Sequence, residues 1–206
     1  MKIYDISMEI HEDMQVYKNK AEKKPKLTVV KDHTTGSSHE SMISMDLHTG
    51  THIDAPLHMI AGGSTMEYLH LENLMGKCKV LDFTHVDDCI TAQALKEKVI
   101  EKGDFILLKT KNSYAEGFDF EFVYLEKSGA AYLKDIGIRG VGVDALGIER
   151  AQSDHGTHKT LLGQEIIIIE GLQLKEVKEG EYGFYAFPLK IKNAEAAPAR
   201  VILVEE

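Results

Sequence analysis

Three histidines and one aspartate lie close together in the first third of the chain, and their side chains could hold a metal ion: His48, His52, Asp54 and His58. Counted from His48, the others lie at offsets of 4, 6 and 10, which are all even. Even offsets place side chains on one face of an extended strand, and Gly50 and Pro56 disfavour a helix. The pattern therefore predicts four polar side chains on a common face.

A shared ion requires this segment to bend. Four extended residues span roughly 13 Å, which is too far for His48 and His52 to ligate one ion at about 2 Å each. Gly50 lies between them and is the residue where a bend costs least. Imidazole nitrogens with a carboxylate oxygen suit zinc, manganese or iron(II), and a small ligand set without thiolates leaves positions open for water. The cluster therefore favours a catalytic metal site over a set of polar loop residues.

A second group of candidate ligands lies far downstream. His158 begins a helical pattern, and Glu170 directly follows the apolar run 166–169. A buried carboxylate is costly unless a cation compensates it, so Glu170 is either a metal ligand or a solvated residue past the strand end, where Gly171 turns the chain. His155 competes with His158 as the histidine ligand, and the chemistry of the residues does not separate the two.

Alternating helical and apolar patterns predict an α/β protein with some parallel strand pairing. Thr91 begins a helical pattern with Val99 on its apolar face and Gly103 just past its end. Ser128 is predicted to cap a second helix, which Gly137 stops. Strands are predicted at 2–10, 27–31, 79–84, 104–109, 140–144, 166–169, 182–189 and 200–205, and helices at 91–102, 128–136 and 158–162.

Length and composition exclude several classes of protein. The chain has 206 residues, 43% hydrophobic and 28% charged, which predicts a single domain over 1–206 with a core of its own. A formal net charge of −9 argues against nucleic-acid binding, and no apolar run is long enough to span a membrane. No signal peptide is visible and the two cysteines form no disulfide framework, so a cytoplasmic protein is expected. The lysine-rich segment 17–26 is predicted to be a solvated loop.

The segment from His48 to His58 resembles the His-x-Gly-Thr-His-x-Asp-x-Pro-x-His signature of the putative cyclase family, which includes bacterial metal-dependent kynurenine formamidases and isatin hydrolases. The resemblance extends over nearly the whole chain, through 3–7, 143–146, 158–172, 187–189 and 197–200. It implies a three-layer swivelling β/β/α fold with a mixed sheet. It also implies a homo-oligomer, either a dimer or a dimer of dimers.

The same resemblance implies a role for each candidate site residue. His48, His52 and Asp54 would hold a first metal, Asp54 would bridge to a second metal completed by His158 and Glu170, and His58 would be the acid/base residue. The spacing from His158 to Glu170 fits the family and favours His158 over His155. A glutamate rather than a glutamine at position 170 favours the formamidase-like arrangement of two metals. Zinc, one or two ions per chain, is the expected cofactor, with manganese as the alternative.

These features predict a metal-dependent amidohydrolase that cleaves a small-molecule amide, an N-formyl arylamine, with metal-activated water. The alternatives are ring opening of an isatin-like lactam or another cyclic amide, and a metal-binding protein without catalysis. The acid/base role of His58 argues against the last. The family's formamidases commonly carry a Trp-Pro-Gly turn near the N-terminus. This chain contains no tryptophan, and its corresponding segment runs from Met14 to Lys20. A different pocket lining is therefore expected.

Overall fold

The computed structural model describes residues 1–205, which form twelve β-strands and three short α-helices. The strands are β1 (Lys2–Asp5), β2 (Lys26–Lys31), β3 (Glu40–Ser44), β4 (His52–Asp54), β5 (Met75–Asp82), β6 (Cys89–Ile90), β7 (Phe105–Lys109), β8 (Tyr124–Leu125), β9 (Gly140–Val143), β10 (Ile167–Glu170), β11 (Gly180–Pro188) and β12 (Ala196–Glu205). The helices are α1 (Ala92–Leu95), α2 (Lys127–Ile136) and α3 (Gly156–Leu162).

Eight of these strands form one mixed sheet that closes on itself. Its order is β1-β12-β11-β5-β7-β9-β10-β4, and β12 also pairs with β4, so that seven strands form a closed ring and β1 lies beside β12. The neighbours β5, β7, β9 and β10 pair in parallel, whereas the other pairings in this sheet are antiparallel. Closure leaves few strand edges open to solvent.

Alternating side chains of the central strands supply two separate cores. Phe105 and Leu107 of β7 point into the interior of the closed sheet. There the centroids of the Phe105 and Phe184 aromatic rings lie 4.4 Å apart. Ile106 and Leu108 point to the opposite face and pack under the helices, for example against Leu133 and Leu161. The molecule therefore has strands packed on strands and helices packed outside them, which confirms the expected β/β/α architecture with a mixed sheet.

The sequence predicted only some of the residues at which the helices begin and end. Thr91 caps α1 as expected, but α1 ends at Leu95 and Val99 is 76% exposed, so the predicted long helix is wrong. One buried leucine does not hold a longer helix against the sheet. At α2 the cap is Glu126, whose carboxylate accepts the Ser128 N–H, and Ser128 is not the cap.

The left-handed Gly137 ends α2, as predicted. The N-terminal strand is shorter than predicted: β1 stops at Asp5, and Ser7 forms an isolated bridge with Leu172. Across residues 1–205, no helix combines the length and the apolar character that crossing a membrane requires.

Candidate metal centre

The loop before β4 presents His48 and His52 to the same space. Gly50 adopts a left-handed φ of +72°, which bends the chain between the two histidines as the sequence predicted. Thr51 Oγ1 donates a hydrogen bond to the Gly171 carbonyl at 2.6 Å and fastens the loop to the end of β10. His52 Nδ1 lies 2.9 Å from the Gly50 carbonyl, so Nδ1–H donates there and Nε2 is left free to face the carboxylates.

The register of β4 against β10 brings the acidic residues to the histidines. His52 lies directly opposite Glu170 and Asp54 opposite Ile168. Side chains opposite each other and two residues apart share one face of a sheet, so His52, Asp54 and Glu170 converge on the helix side. His52 Nε2 lies 3.5 Å from Asp54 Oδ1 and 3.3 Å from Glu170 Oε2.

Glu170 is the last residue of β10 and is only 5% exposed. The alternative that it lies in solvent past the strand end is therefore wrong, although Gly171 does turn the chain with a φ of +72°. Glu170 Oε1 accepts the Ile148 N–H at 2.6 Å. Burial alone would raise the pKa of this carboxyl, but His158 and His52 hold it well below its usual range.

The short helix α3 places His158 rather than His155 beside the carboxylates. His158 is 6% exposed, and its Nε2 lies 3.6 Å from Asp54 Oδ2 and 3.3 Å from Glu170 Oε1. The side chain of His155 is half exposed and turns instead to Glu149, whose Oε1 lies 2.7 Å from His155 Nδ1. The structure thus separates the two histidines that the chemistry of the sequence left open.

His58 reaches the cluster through a tight turn. Residues Pro56–His58 form a single 3-10 turn, which folds the chain back where an extended path was expected. The imidazole of His58 lies 4.2 Å from that of His48 and 5.5 Å from that of His158, measured between ring centroids. Burial lowers the pKa of His58 by more than the charge of Asp54 raises it, which favours the neutral imidazole.

The donor atoms of the cluster fit divalent cations. His52 Nε2 and both carboxylate oxygens of Asp54 are buried without a hydrogen-bond partner among the described residues, although such groups are normally satisfied. His48 Nδ1 lies 3.1 Å from Asp54 Oδ1. Two sets of ligand atoms, each within 4.8 Å of one another, share Asp54: one contains His48 and His58, the other His52 and Glu170. Unpartnered acceptors beside imidazole nitrogens are the arrangement that a cation completes.

Glu149 is a residue of this site that the sequence reasoning missed. It is 5% exposed, and its Oε1 lies 3.1 Å from His158 Nδ1 while its Oε2 accepts the Thr157 N–H at 2.9 Å. Burial would raise the pKa of Glu149, but the hydrogen bonds and charge of His158 lower it. The sequence contains a pattern that could have predicted this residue: Glu149 follows the mostly apolar run 145–148, just as Glu170 follows the apolar run 166–169.

One cavity of about 540 Å³ opens over the cluster. Its inner part is lined by His48, His58, His158, Glu149 and Glu170. Its outer wall includes Tyr17, Met59 and Leu146 together with three lysines of the N-terminal segment. The size suits a small organic ligand, and the aromatic surface comes from Tyr17 in a chain that has no tryptophan.

A family model described as putative cyclase matches residues 4–150. The chain belongs to this cyclase family. A kynurenine formamidase of Salinibacter ruber (strain DSM 13855 / M31) is 28% identical over 98% of this chain and 97% of its own length.

Two solved structures share the fold of this family member. One, described as a potential metal-dependent hydrolase with cyclase activity, is 54% identical with a TM-score of 0.93 and covers 98% of this chain and 96% of its own. The other, isatin hydrolase A of Labrenzia aggregata, is 24% identical with a TM-score of 0.86 and covers 100% and 94%, a likeness that concerns the fold alone.

Proposed function

We propose that the chain is a metal-dependent hydrolase that cleaves a small amide, an N-formyl arylamine. The observation that carries this proposal is the buried His–Asp–Glu cluster with unpartnered donor and acceptor atoms at the inner end of a cavity that admits a small molecule. A kynurenine formamidase among the relatives and the 54% identity to a metal-dependent hydrolase structure support the same chemistry.

The proposed ligands are His48, His52, Asp54, His158 and Glu170. The two oxygens of each carboxylate face different histidines: Asp54 Oδ1 faces His48 and His52 while Oδ2 faces His158, and Glu170 Oε2 faces His52 while Oε1 faces His158. Carboxylates that face two ways support two ions per chain. Nitrogen and oxygen ligands without thiolate suit zinc, with manganese as the alternative.

The residues around these ligands have distinct tasks in the proposed reaction. A bound divalent cation supplies a Lewis acid and lowers the pKa of water to about 7. His58, whose neutral form burial favours by lowering its pKa, accepts the proton of the attacking water and delivers it to the amide nitrogen, which leaves as an amine only when protonated. Asp54 and Glu170 balance the cationic charge, and Tyr17, Met59 and Leu146 provide the apolar wall for an arene.

His58 separates catalysis from metal binding, and His58→Ala is the experiment that tests the proposal. We expect this variant to retain its metal, measured by elemental analysis, and to lose at least about a hundredfold in turnover of formanilide. His85→Ala is the matched control, because His85 is exposed and does not line the cavity. Loss of metal together with activity would make His58 a ligand instead. Turnover of isatin without turnover of any formanilide would favour the lactam alternative.

We further propose a cytoplasmic homo-oligomer. The hairpin of β2 and β3 lies outside the main sheet, and five of its apolar side chains are more than half exposed: Leu27, Val29, Val30, Met42 and Ile43. An isolated two-stranded hairpin with apolar residues on both faces is marginally stable in water, which supports its packing against a second copy. Cys78 and Cys89 are both free thiols, which is compatible with a reducing compartment.

A further inference from the structure

The lysine-rich segment before β2 is largely exposed to solvent, as its composition predicted, and it also forms one wall of the cavity. Two short 3-10 turns, Tyr17–Asn19 and Ala21–Lys23, form its backbone, and the flanking Val16 and Pro25 are buried. Tyr17, Lys18, Lys20 and Lys23 line the same cavity as the proposed metal ligands.

Two hydrogen bonds fasten this wall to the loop that carries His48, and a third lies within that loop. Thr49 Oγ1 donates to the Lys23 carbonyl at 2.7 Å, and Lys23 Nζ donates to Asp46 Oδ2 at 3.0 Å. Asp46 Oδ1 in turn accepts the His48 N–H at 2.8 Å. The backbone of the segment at Lys23 is therefore held at a defined place relative to the loop that carries His48.

The backbone takes a strained path to place Lys18 at the cavity. Lys18 and Asn19 both adopt left-handed conformations, with φ of 57° and 52°, although neither is glycine. Lys18 Nζ lies 5.2 Å from the centroid of the Tyr17 ring, within the range of a cation–π contact. Backbone strain that directs a charged side chain to a ligand cavity is typical of functional positions.

The charges of Lys18 and Lys20 are available to a ligand. Within residues 1–205 neither ammonium group has a carboxylate within 4.0 Å, whereas Lys23 is paired with Asp46. The two acids that line the cavity are already engaged, because Glu149 contacts His155 and His158 and Glu170 contacts His52 and His158. A chain with a net charge of −9 thus has a cationic mouth over its proposed active site.

We infer that this mouth selects substrates with a carboxylate, so that the amide lies at the metal cluster while the carboxylate lies against Lys18 and Lys20. The inference rests on the proposed function and adds the substrate class. Lysine ammonium groups act as mobile point charges and suit a single carboxylate, and the lining contains no arginine fork that would favour a phosphate. A neutral formanilide would leave both lysines without a partner.

The test compares 3-formamidobenzoate with formanilide on the metal-loaded protein. The selectivity is the ratio of their kcat/KM values, and we expect it to favour the carboxylate. The double variant Lys18→Gln/Lys20→Gln should reduce this ratio about tenfold, mainly through a higher KM for the carboxylate, and 0.5 M salt should reduce it in the unaltered protein. Arginine at the two positions should restore it. Lys24→Gln is the matched control, since Lys24 is exposed in the same segment but does not line the cavity.

Several results would overturn the inference. A ratio near one in the unaltered protein, or one that the double variant leaves unchanged, would remove the lysines from substrate selection while leaving amide hydrolysis in place. Preference for 3-formamidobenzenesulfonate over the carboxylate would reject the carboxylate assignment. Benzoate binding, measured by calorimetry, distinguishes failure of this inference from failure of the hydrolase proposal. If no amide is hydrolysed, the hydrolase proposal fails. The anion site still stands if benzoate binds more weakly to the double variant than to Lys24→Gln.

Discussion

Glu149 orients the proposed ligand His158 from the side of its Nδ1 atom, away from Asp54 and Glu170. Its Oε1 lies 3.1 Å from His158 Nδ1 and its Oε2 accepts the Thr157 N–H, while the opposite nitrogen of His158 faces Asp54 and Glu170. A carboxylate on the far nitrogen of a metal-binding imidazole fixes its tautomer and increases its basicity.

Glu149→Gln should therefore weaken metal binding without emptying the site. We expect a loss of about 10- to 100-fold in metal affinity, measured by competition with a chromophoric chelator, because an amide neither carries the charge nor holds the tautomer as firmly. Glu165→Gln provides a control at an exposed acid just beyond α3. Metal affinity equal to that of the unaltered protein would show that Glu149 serves only to anchor the start of α3.

At the scale of elements, the site depends on the close approach of the His48–His52 loop to the end of β10. Gly171 has a φ of +72°, and a Cβ at this position would lie 2.5 Å from the Gly50 carbonyl oxygen and 3.2 Å from Thr51 Cα. Both contacts are with backbone, which cannot swing aside as the end of a flexible side chain can. The two turns therefore pack together only because residue 171 has no side chain.

Gly171→Ala should separate the loop from β10 and disturb the ligands on both. We expect a destabilisation of about 2–4 kcal/mol and a clear loss of metal affinity, since the Thr51 hydrogen bond and the position of Glu170 change together. Chemical denaturation and metal titration measure the two effects. Gly103→Ala also replaces a left-handed glycine, but with open space around its Cβ, and should show the smaller backbone effect alone. Equal losses in the two variants would contradict the packing argument.

On the scale of the whole molecule, the β2–β3 hairpin presents several apolar side chains to solvent. Leu27 and Ile43 face each other across the two strands and are 58% and 51% exposed. Leu27→Ser/Ile43→Ser should weaken self-association at least about tenfold, measured by sedimentation velocity. Val99→Ser is the control, because Val99 is an exposed apolar residue elsewhere. A monomeric unaltered protein would contradict the proposed oligomer.

Metal removal should destabilise the whole fold in a way that depends on pH. Burial lowers the pKa of His52 and His158, but the neighbouring carboxylates outweigh it and raise the values to about 9 and about 10. In metal-free protein these ion pairs contribute stability that is complete below pH 6.5 and is lost as pH rises through the folded-state values. We expect Tm after chelation to fall between pH 6.5 and pH 10, by about 5 °C or more. The Tm of a metal-loaded sample should fall less over the same pH range, because the bound ion takes the place of the protons on His52 and His158.

The sequence alone determined the parts of this protein that depend on local chemistry. The even spacing of His48, His52 and Asp54, the bend at Gly50 and the apolar strand before Glu170 are properties of short segments, so they predicted the shared face and the turn, while the full ligand set came from the family resemblance. The helix–strand units were predicted in part from cap, glycine and apolar patterns: Thr91 and Gly137 were placed correctly, but α1 is shorter than predicted and Glu126 caps α2.

Only the tertiary structure decided what depends on residues that are distant in sequence. The burial of Glu170 depends on its pairing with β4, and the position of His158, and not His155, beside Asp54 and Glu170 depends on where α3 begins. The composition of the lysine segment predicted its solvent exposure, but its position beside the cavity depends on the contacts of Lys23 with Thr49 and Asp46. Such contacts form only when the sheet closes and brings segments that are distant in sequence together. Local residue patterns contain no information about which distant segments become neighbours.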